Sequence, residues 1–520
     1  MKKIATALLS CALAAATLAG CAANAAQVPQ ESQEPHTAAL TATAAASVKS
    51  PKYVFLFIGD GMSYPQIQST SDYLGALKDA DYWQAQPSLD DNQGAILDGP
   101  EYLNFMNFEA AGSAVTYDSN SFAPDSASTA TSIATGHKTY SGSINVDETG
   151  TVEYETIAEQ LKAQKGYEIG VITSVNLNHA TPAAFYAHQA SRSSYYEIGL
   201  EMVESDFDYF AGGGLLDPTG SEGDQTDLYQ LAQEAGYTVA RTYAEADAIS
   251  ADTDKAIIIE ENLADSDAIP YEIDRTDDMW SLADYVEKGI EVLDNDTGFF
   301  MMCEGGKIDW ACHANDAGSS IHDTQALADA VQVAIDFAAE HPDETLILVT
   351  GDHETGGLTI GFAGTDYDTY LDLLENQKIS YAKFDSDYVA SYKENKPPFE
   401  DVLSDIEELF GLKAQGAADD KLVLTEYEME QLRAAYEKSV NGTAASQYEQ
   451  EEYVLYGTYE PLSVTITHII NNKSGISFTS YSHTGLPVAV LAEGVGAENF
   501  SGYYDNTQIY EKMADLLNIA

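Results

Sequence analysis

Four short apolar runs constrain this chain more than anything else in it: Tyr53–Ile58, Ile169–Ser174, Gly298–Met302 and Thr345–Thr350. Each is almost continuously hydrophobic rather than alternating, the pattern of a strand buried on both faces of a parallel sheet. Each is also followed by residues that carry chemistry: Gly59-Asp60-Gly61, Asn178-His179-Ala180-Thr181, Glu304 through Asp309 to His313, and Gly351-Asp352-His353. Strand-like Phe207–Phe210 and Ala256–Ile259 alternate with helix-period segments at 280–293 and 320–340, which implies crossover units. In the second of those helices Leu327, Val331, Ile335 and Ala338 share one face and read as core. Residues 64–112 read as helix and loop over the site. A further strand, Pro487–Leu491, follows Ser482-His483-Thr484-Gly485. The expected fold is α/β, a three-layer sandwich with a central mostly parallel sheet flanked by helices, plus a large insertion over about 365–479. Open sheets of this kind bind ligands beyond the carboxyl ends of their strands, where the polar clusters fall.

The richest cluster is Cys303-Glu304-Gly305-Gly306-Lys307-Ile308-Asp309-Trp310-Ala311-Cys312-His313. A carboxylate leaves a strand end, a second follows five residues on, and a histidine four after that. Divalent cations are held by this mixture of carboxylate oxygen and imidazole nitrogen. Asp60, between two glycines, is equally an ordinary Asp-Gly turn when taken alone. Asp352-His353 at a strand end is a metal-ligand pattern. Pro124 and Asp125 are helix-start residues. Ser126 would then lie in a first turn whose free amides favour an anion, although a plain capping serine reads the same. Thr181 can lend a hydroxyl oxygen to a hard cation, and His179 can hold a water beside it. Arg192 suits two phosphoryl oxygens at once; by itself it is a surface arginine. Cys303 and Cys312 read as packing residues, a bridge between them being the alternative.

Acidic residues number 84 against 24 basic, a formal net charge of -60. That balance excludes a basic nucleic-acid footprint and is otherwise a solvated acidic surface. Lys2-Lys3 and the apolar stretch to Leu18 form a leader too short to span a bilayer. It ends in Leu18-Ala19-Gly20-Cys21, which resembles the bacterial lipoprotein box, with secretory cleavage between Ala22 and Ala26 as the alternative. Residues 1–21 are thus read as a lipoprotein signal peptide, 22–50 as a flexible tether, and 51–520 as the catalytic domain, working outside the cytoplasm.

In order along the chain, IGDGM, PDSAST, HATP with Arg192, EGGKID with its histidine, TGDHETGG and SHTG resemble the alkaline phosphatase family from about Val54 to the C-terminus. The resemblance implies hydrolysis of small phosphomonoesters through a phosphoserine on Ser126, with two Zn2+ and one Mg2+ per chain. One zinc would be held by Asp309, His313 and His483, the other by Asp60, Asp352 and His353, and the magnesium by Asp60, Thr181 and Glu304. Arg192 would grip the phosphate. Homodimers are common in the family. His179 and Trp310 stand where the best-known enterobacterial pattern has an aspartate and a lysine; both changes should loosen water-mediated phosphate binding and alter magnesium affinity. Two other readings use the same residues: a phosphodiesterase of the same superfamily, and a non-catalytic lipoprotein that captures phosphate or metal. Ser126 paired with Arg192 favours monoesters over the first, and a capture protein has no need of that hydroxyl.

Overall fold

The structure is a computed structural model that describes residues 49–79, 97–442 and 449–519. The leader, Cys21 and nearly all of the tether lie outside the described residues. Among the described residues no helix is long and apolar enough to cross a membrane.

Eight strands come first: β1 (Tyr53–Gly59), β2 (Ala110–Val115), β3 (Glu168–Thr173), β4 (Tyr209–Gly212), β5 (Thr238–Ala240), β6 (Ala256–Ile259), β7 (Phe299–Gly305) and β8 (Thr345–Gly351). Four short ones follow, β9 (Glu354–Thr355), β10 (Thr359–Ile360), β11 (Ile476–Ser477) and β12 (His483–Thr484). β9 pairs with β12 and β10 with β11, both antiparallel. β13 (Val488–Gly494) and β14 (Gly502–Asp505) return to the main sheet, whose order is β14-β2-β13-β8-β1-β7-β3-β4-β6-β5. β13 runs antiparallel to both its neighbours, and every other pairing in that sheet is parallel.

The apolar runs are strands because both their faces are covered. On β1, Val54, Leu56 and Ile58 enter one core while Tyr53, Phe55 and Phe57 enter the other. Each such side chain contributes about 1.5–3 kcal/mol by leaving water, and a one-residue slip would exchange the two sets. The register therefore holds, and it sets Gly59 beside both Gly305 and Gly351, and Ile58 beside Glu304. β1 lies where the strand order reverses, so its end opens on the crevice such sheets use for ligands.

Residues 110–112, read as loop, instead begin β2. The two expected helices span Leu282–Leu293 and Ala317–Glu340, with Ser281 and Asp316 capping their first turns. Cys303 and Cys312 are both buried free thiols. The β10–β11 pair, joining Thr359 to Ser477 and Ile360 to Ile476, closes the neck of the insertion. Its helices build a core of their own around Phe384, Ile406, Phe410 and Ile466, which rests on Tyr73, Ala317 and Ile321.

Candidate active site

The floor of the site is delivered by strand ends. Asp60 follows β1, Asp352 follows β8, and Glu304 lies one residue before the end of β7; all three are fully buried. Ligand atoms of Asp60, Asp352 and His353 lie within 4.8 Å of one another, and so do those of Asp60, His179 and Glu304. His353 Nε2 is 3.3 Å from Asp60 Oδ1 and 3.4 Å from Asp352 Oδ2. Thr181 Oγ1 donates to Asp60 Oδ2 at 3.4 Å. Asp60 Oδ1 has no hydrogen-bond partner among the described residues beyond that ring contact, and neither do Glu304 Oε1 and His179 Nδ1. Burial, with the charges of Asp352, Asp309 and Glu304 around it, pushes Asp60 well above the usual carboxylate range. Burial likewise pushes Asp352 and Glu304 each up to about 7. Carboxylate oxygens left without partners this close together are costly to bury as charges: they hold protons or share a cation.

A second group lies nearer the solvent. After β7 the chain turns at Gly306, where a Cβ would come within 2.8 Å of Val175. It then forms the helix Lys307–His313, so that Asp309 and His313, four apart, share a face. His483 arrives on β12, opposite Thr355, and its ring stacks on His353 at 3.7 Å. His313 Nδ1 lies 2.7 Å from the Tyr481 carbonyl, and His483 Nδ1 2.6 Å from that of Pro124. Carbonyls accept only, so each ring keeps its proton on Nδ1 and turns a lone pair outward from Nε2. Those two Nε2 atoms are 3.0 Å apart. Facing lone pairs repel, and a cation held in common resolves the conflict, with Asp309 oxygens at 3.4 and 3.6 Å completing the set.

Ser126 opens the helix Ser126–Thr135, which Asp125 caps by accepting from Ser128 N at 3.1 Å. Its Oγ is 3.2 Å from His353 Nε2, so the serine hydroxyl and the buried Asp60–Asp352–His353 cluster meet at one point. The other oxygen of Asp125 accepts from Arg192 Nη1 at 2.9 Å, and Arg192 Nη2 donates to His179 Nε2 at 3.1 Å. Despite its burial, Asp125 is held below the usual carboxylate range by that guanidinium. One carboxylate therefore ties the serine's helix to the arginine. A cleft of about 460 Å³ opens onto Ser126, Arg192 and His179, with Trp310, Tyr381 and Tyr459 among its walls.

A serine at a helix start, an arginine beside it and clusters of carboxylate and imidazole able to hold metal at the ends of a parallel sheet fit phosphate chemistry. The family model that matches, over residues 51–519, is alkaline phosphatase. The chain belongs to that family. It is 29% identical to alkaline phosphatase 3 of Bacillus subtilis over 470 residues, covering 88% of this chain and 87% of that one. The alkaline phosphatase of Schizosaccharomyces pombe is 27% identical, with 91% and 82% covered. Among solved structures, the cold-active alkaline phosphatase of a psychrophilic Shewanella is 29% identical at a TM-score of 0.68, with 89% of this chain and 99% of that one covered. A mutant of the TAB5 alkaline phosphatase with Mg bound in its M3 site is 25% identical at a TM-score of 0.59, with 91% and 99% covered. Like these relatives, the protein is a metal-dependent phosphatase that hydrolyses phosphomonoesters.

For an alkaline phosphatase read from sequence, the supports around the ligands were the part missed. Thr173 donates to Glu304 Oε2. Thr129 donates to Asp352 Oδ2 at 3.0 Å, and Thr355 to Asp309 Oδ1 at 2.5 Å. Gly61 N and His353 N both donate to Asp352 Oδ1, at 3.1 and 2.8 Å. Gly61 can do so because it holds a φ of 70°, and a Cβ there would sit 2.9 Å from the Asp309 backbone. His179, expected to hold a water, places a ring nitrogen in the same cluster as Asp60 and Glu304. Tyr381 and Tyr459 come from the insertion and line the cleft, although no motif in that stretch marks them.

Proposed function

We propose that the phosphatase works through a phosphoserine on Ser126. The observation that carries this reading is the buried Ser126 Oγ at the start of a helix, 3.2 Å from the same His353 nitrogen that faces Asp60 and Asp352. The donor sets fit two zinc ions and one magnesium: Asp60, Asp352 and His353 for one zinc, Asp309, His313 and His483 for the other, and Asp60, Thr181 and Glu304 for magnesium. The orphaned oxygens of Asp60 and Glu304 and the facing imidazole nitrogens support the assignment, as does the magnesium of the TAB5 mutant. When bound, the ions lower the pKa of a nearby hydroxyl and offset charge on the attacking and leaving oxygens.

Arg192, fixed by Asp125, takes two phosphoryl oxygens side by side. The first-turn amides of the Ser126 helix face the third. Ser126 gives its hydroxyl proton to water, and its Oγ attacks in line, forming the Oγ–P bond as the ester oxygen departs and takes a proton from water. A water then attacks phosphorus from the vacated side, and the Oγ–P bond breaks to release phosphate as Ser126 Oγ regains a proton from water. Because ligands and nucleophile must be deprotonated, the rate should rise into alkaline pH; a profile peaking in acid would contradict this. The decisive test is acid-quenched single turnover on p-nitrophenyl phosphate. It should trap phosphate on Ser126, and Ser126→Ala and EDTA should each abolish the trapped species. Turnover without any labelled Ser126 would sink the proposal.

The LAGC string supports an extracytoplasmic enzyme anchored by lipid on Cys21; palmitate labelling that persists in Cys21→Ser would refute the anchor. A homodimer is the assembly the family suggests, and a monomer mass by sedimentation would remove it.

A further inference from the structure

One side of the cleft is left unused by the hydrolysis itself. Trp310, Tyr381 and Tyr459 line it and come from the helix Lys307–His313 and from two distant parts of the insertion. They are nonetheless one packed group. Tyr381 and Tyr459 meet edge to face at 5.7 Å, and Trp310 and Tyr459 both pack on Tyr271, Ala311 and Ala314. Lys307 supports them from within. It is wholly buried, its ammonium 3.9 Å from the Tyr271 ring centre, 4.8 Å from that of Trp310 and 2.7 Å from Asp265. The Tyr271 hydroxyl reaches that of Tyr381 at 3.3 Å. Asp265 also lines the cleft, and its pairing with Lys307 offsets the cost of desolvating that carboxylate beside a docked ring. Next to it Ser266 and Asp267 hold φ of 53° and 55°, a strained conformation that persists only where surroundings enforce it. The carbonyl of Asp267, accepting from Gly214 N at 2.7 Å, is part of that enforcement.

We propose that this aromatic wall is a leaving-group subsite for flat ring systems, which makes nucleoside 5′-monophosphates the preferred class of substrate. The proposal rests on the reading that Ser126 and Arg192 take the phosphate. A cleft of about 460 Å³ is within the usual range for a ligand of this size. Bases stack on aromatic side chains whatever their sequence identity, because each has a π-face.

AMP and glycerol 3-phosphate both leave as primary alkoxides, so the ratio of their kcat/KM values reports the wall and not the chemistry. Wild type should favour AMP by about tenfold or more, Tyr459→Phe should keep that ratio, and Tyr459→Ala should bring it below about threefold. Adenosine, which carries no phosphate, should compete with glycerol 3-phosphate in the wild-type holoenzyme, an arm that needs no variant to fold. A wild-type ratio under about threefold, a ratio unchanged in folded Tyr459→Ala, or no competition by adenosine each overturns the proposal. Failure of the phosphoserine reading looks different: no labelled Ser126 with either ester, while the AMP preference stands.

Discussion

At the floor of the cleft, Asp60, Glu304 and Asp352 are placed first by the backbone, since three adjacent parallel strands in register deliver them to one end of the sheet, with Glu304 two residues short of the level of Asp60 and Asp352. At the rim, charged contacts place several of the groups. Asp125 holds Arg192, Lys307 supports Trp310, and the segment leading to Arg192 is clamped where His188 sits between Glu159 and Glu201. The two solutions have different weaknesses. The floor is rigid yet electrostatically unfavourable until a cation arrives. The rim is neutralised within the protein, and its weakness is loss of a proton or of a single side chain.

The sharpest way to break that contrast is Asp60→Asn, because Asp60 belongs to two ligand clusters at once. Its kcat/KM should fall about a thousandfold. In EDTA, however, its melting temperature should equal or exceed that of wild type, since the variant buries one carboxylate fewer beside Asp352 and Glu304. A drop of less than tenfold, or a less stable metal-free protein, would mean that the floor is not held together against its own charge. Smaller effects are expected from the threonines behind the ligands. Thr173→Val and Thr355→Val should each weaken metal retention about 10–100-fold, measured by competition with a chelator. The Thr355 variant should lose its metal faster, because its cluster has two partly exposed members, His313 and His483, while Glu304 beside Thr173 is fully buried.

The same division explains what could be read from sequence. Phe55-Leu56-Phe57-Ile58 can only be a doubly buried strand, and its ligand follows two residues later, so the floor was legible. Ala110-Ala-Gly-Ser-Ala-Val lacks bulky side chains until its end and gave no strand signal. It is a strand because its neighbours come close: a Cβ on Gly112 would lie 2.1 Å from the Phe500 carbonyl. The direction of β13 depends on a crossover no local pattern encodes. Thr173 and Glu304 are 131 residues apart in sequence, so their contact is a product of register. Arg192 was legible as a phosphate ligand only by family likeness. Its anchor Asp125 was visible as a cap and invisible as an ion-pair partner.

Rim variants test the other half of the comparison. Lys307→Met should raise KM for ring-bearing esters about three- to tenfold with little change in kcat, and Lys307→Arg should restore it. A fall in kcat alone would place Lys307 with the floor.

The smallest effect is the one that belongs to the rim by charge alone. His188 Nε2 lies 3.4 Å from Glu159 and Nδ1 3.4 Å from Glu201. Burial pulls its pKa down, but the hydrogen bonds and charges of the two carboxylates outweigh this and push it up to about 10. That is above the value of about 6.5 for a free imidazole. The clamp therefore stabilises fully below about pH 6.5, contributes less as pH climbs, and is gone once pH passes through about 10. Gln189, the next residue, pairs with Ile144, and Arg192 N donates to Gly142 O at 2.7 Å, so the clamp steadies the strip from which the guanidinium reaches. His188→Gln should lower the melting temperature by about 2 °C at pH 6.5, and the gap should close by pH 10.5. A gap that stays level across that range would mean packing, not charge, holds this segment. The rim would then differ from the floor in its exposure and not in its physics.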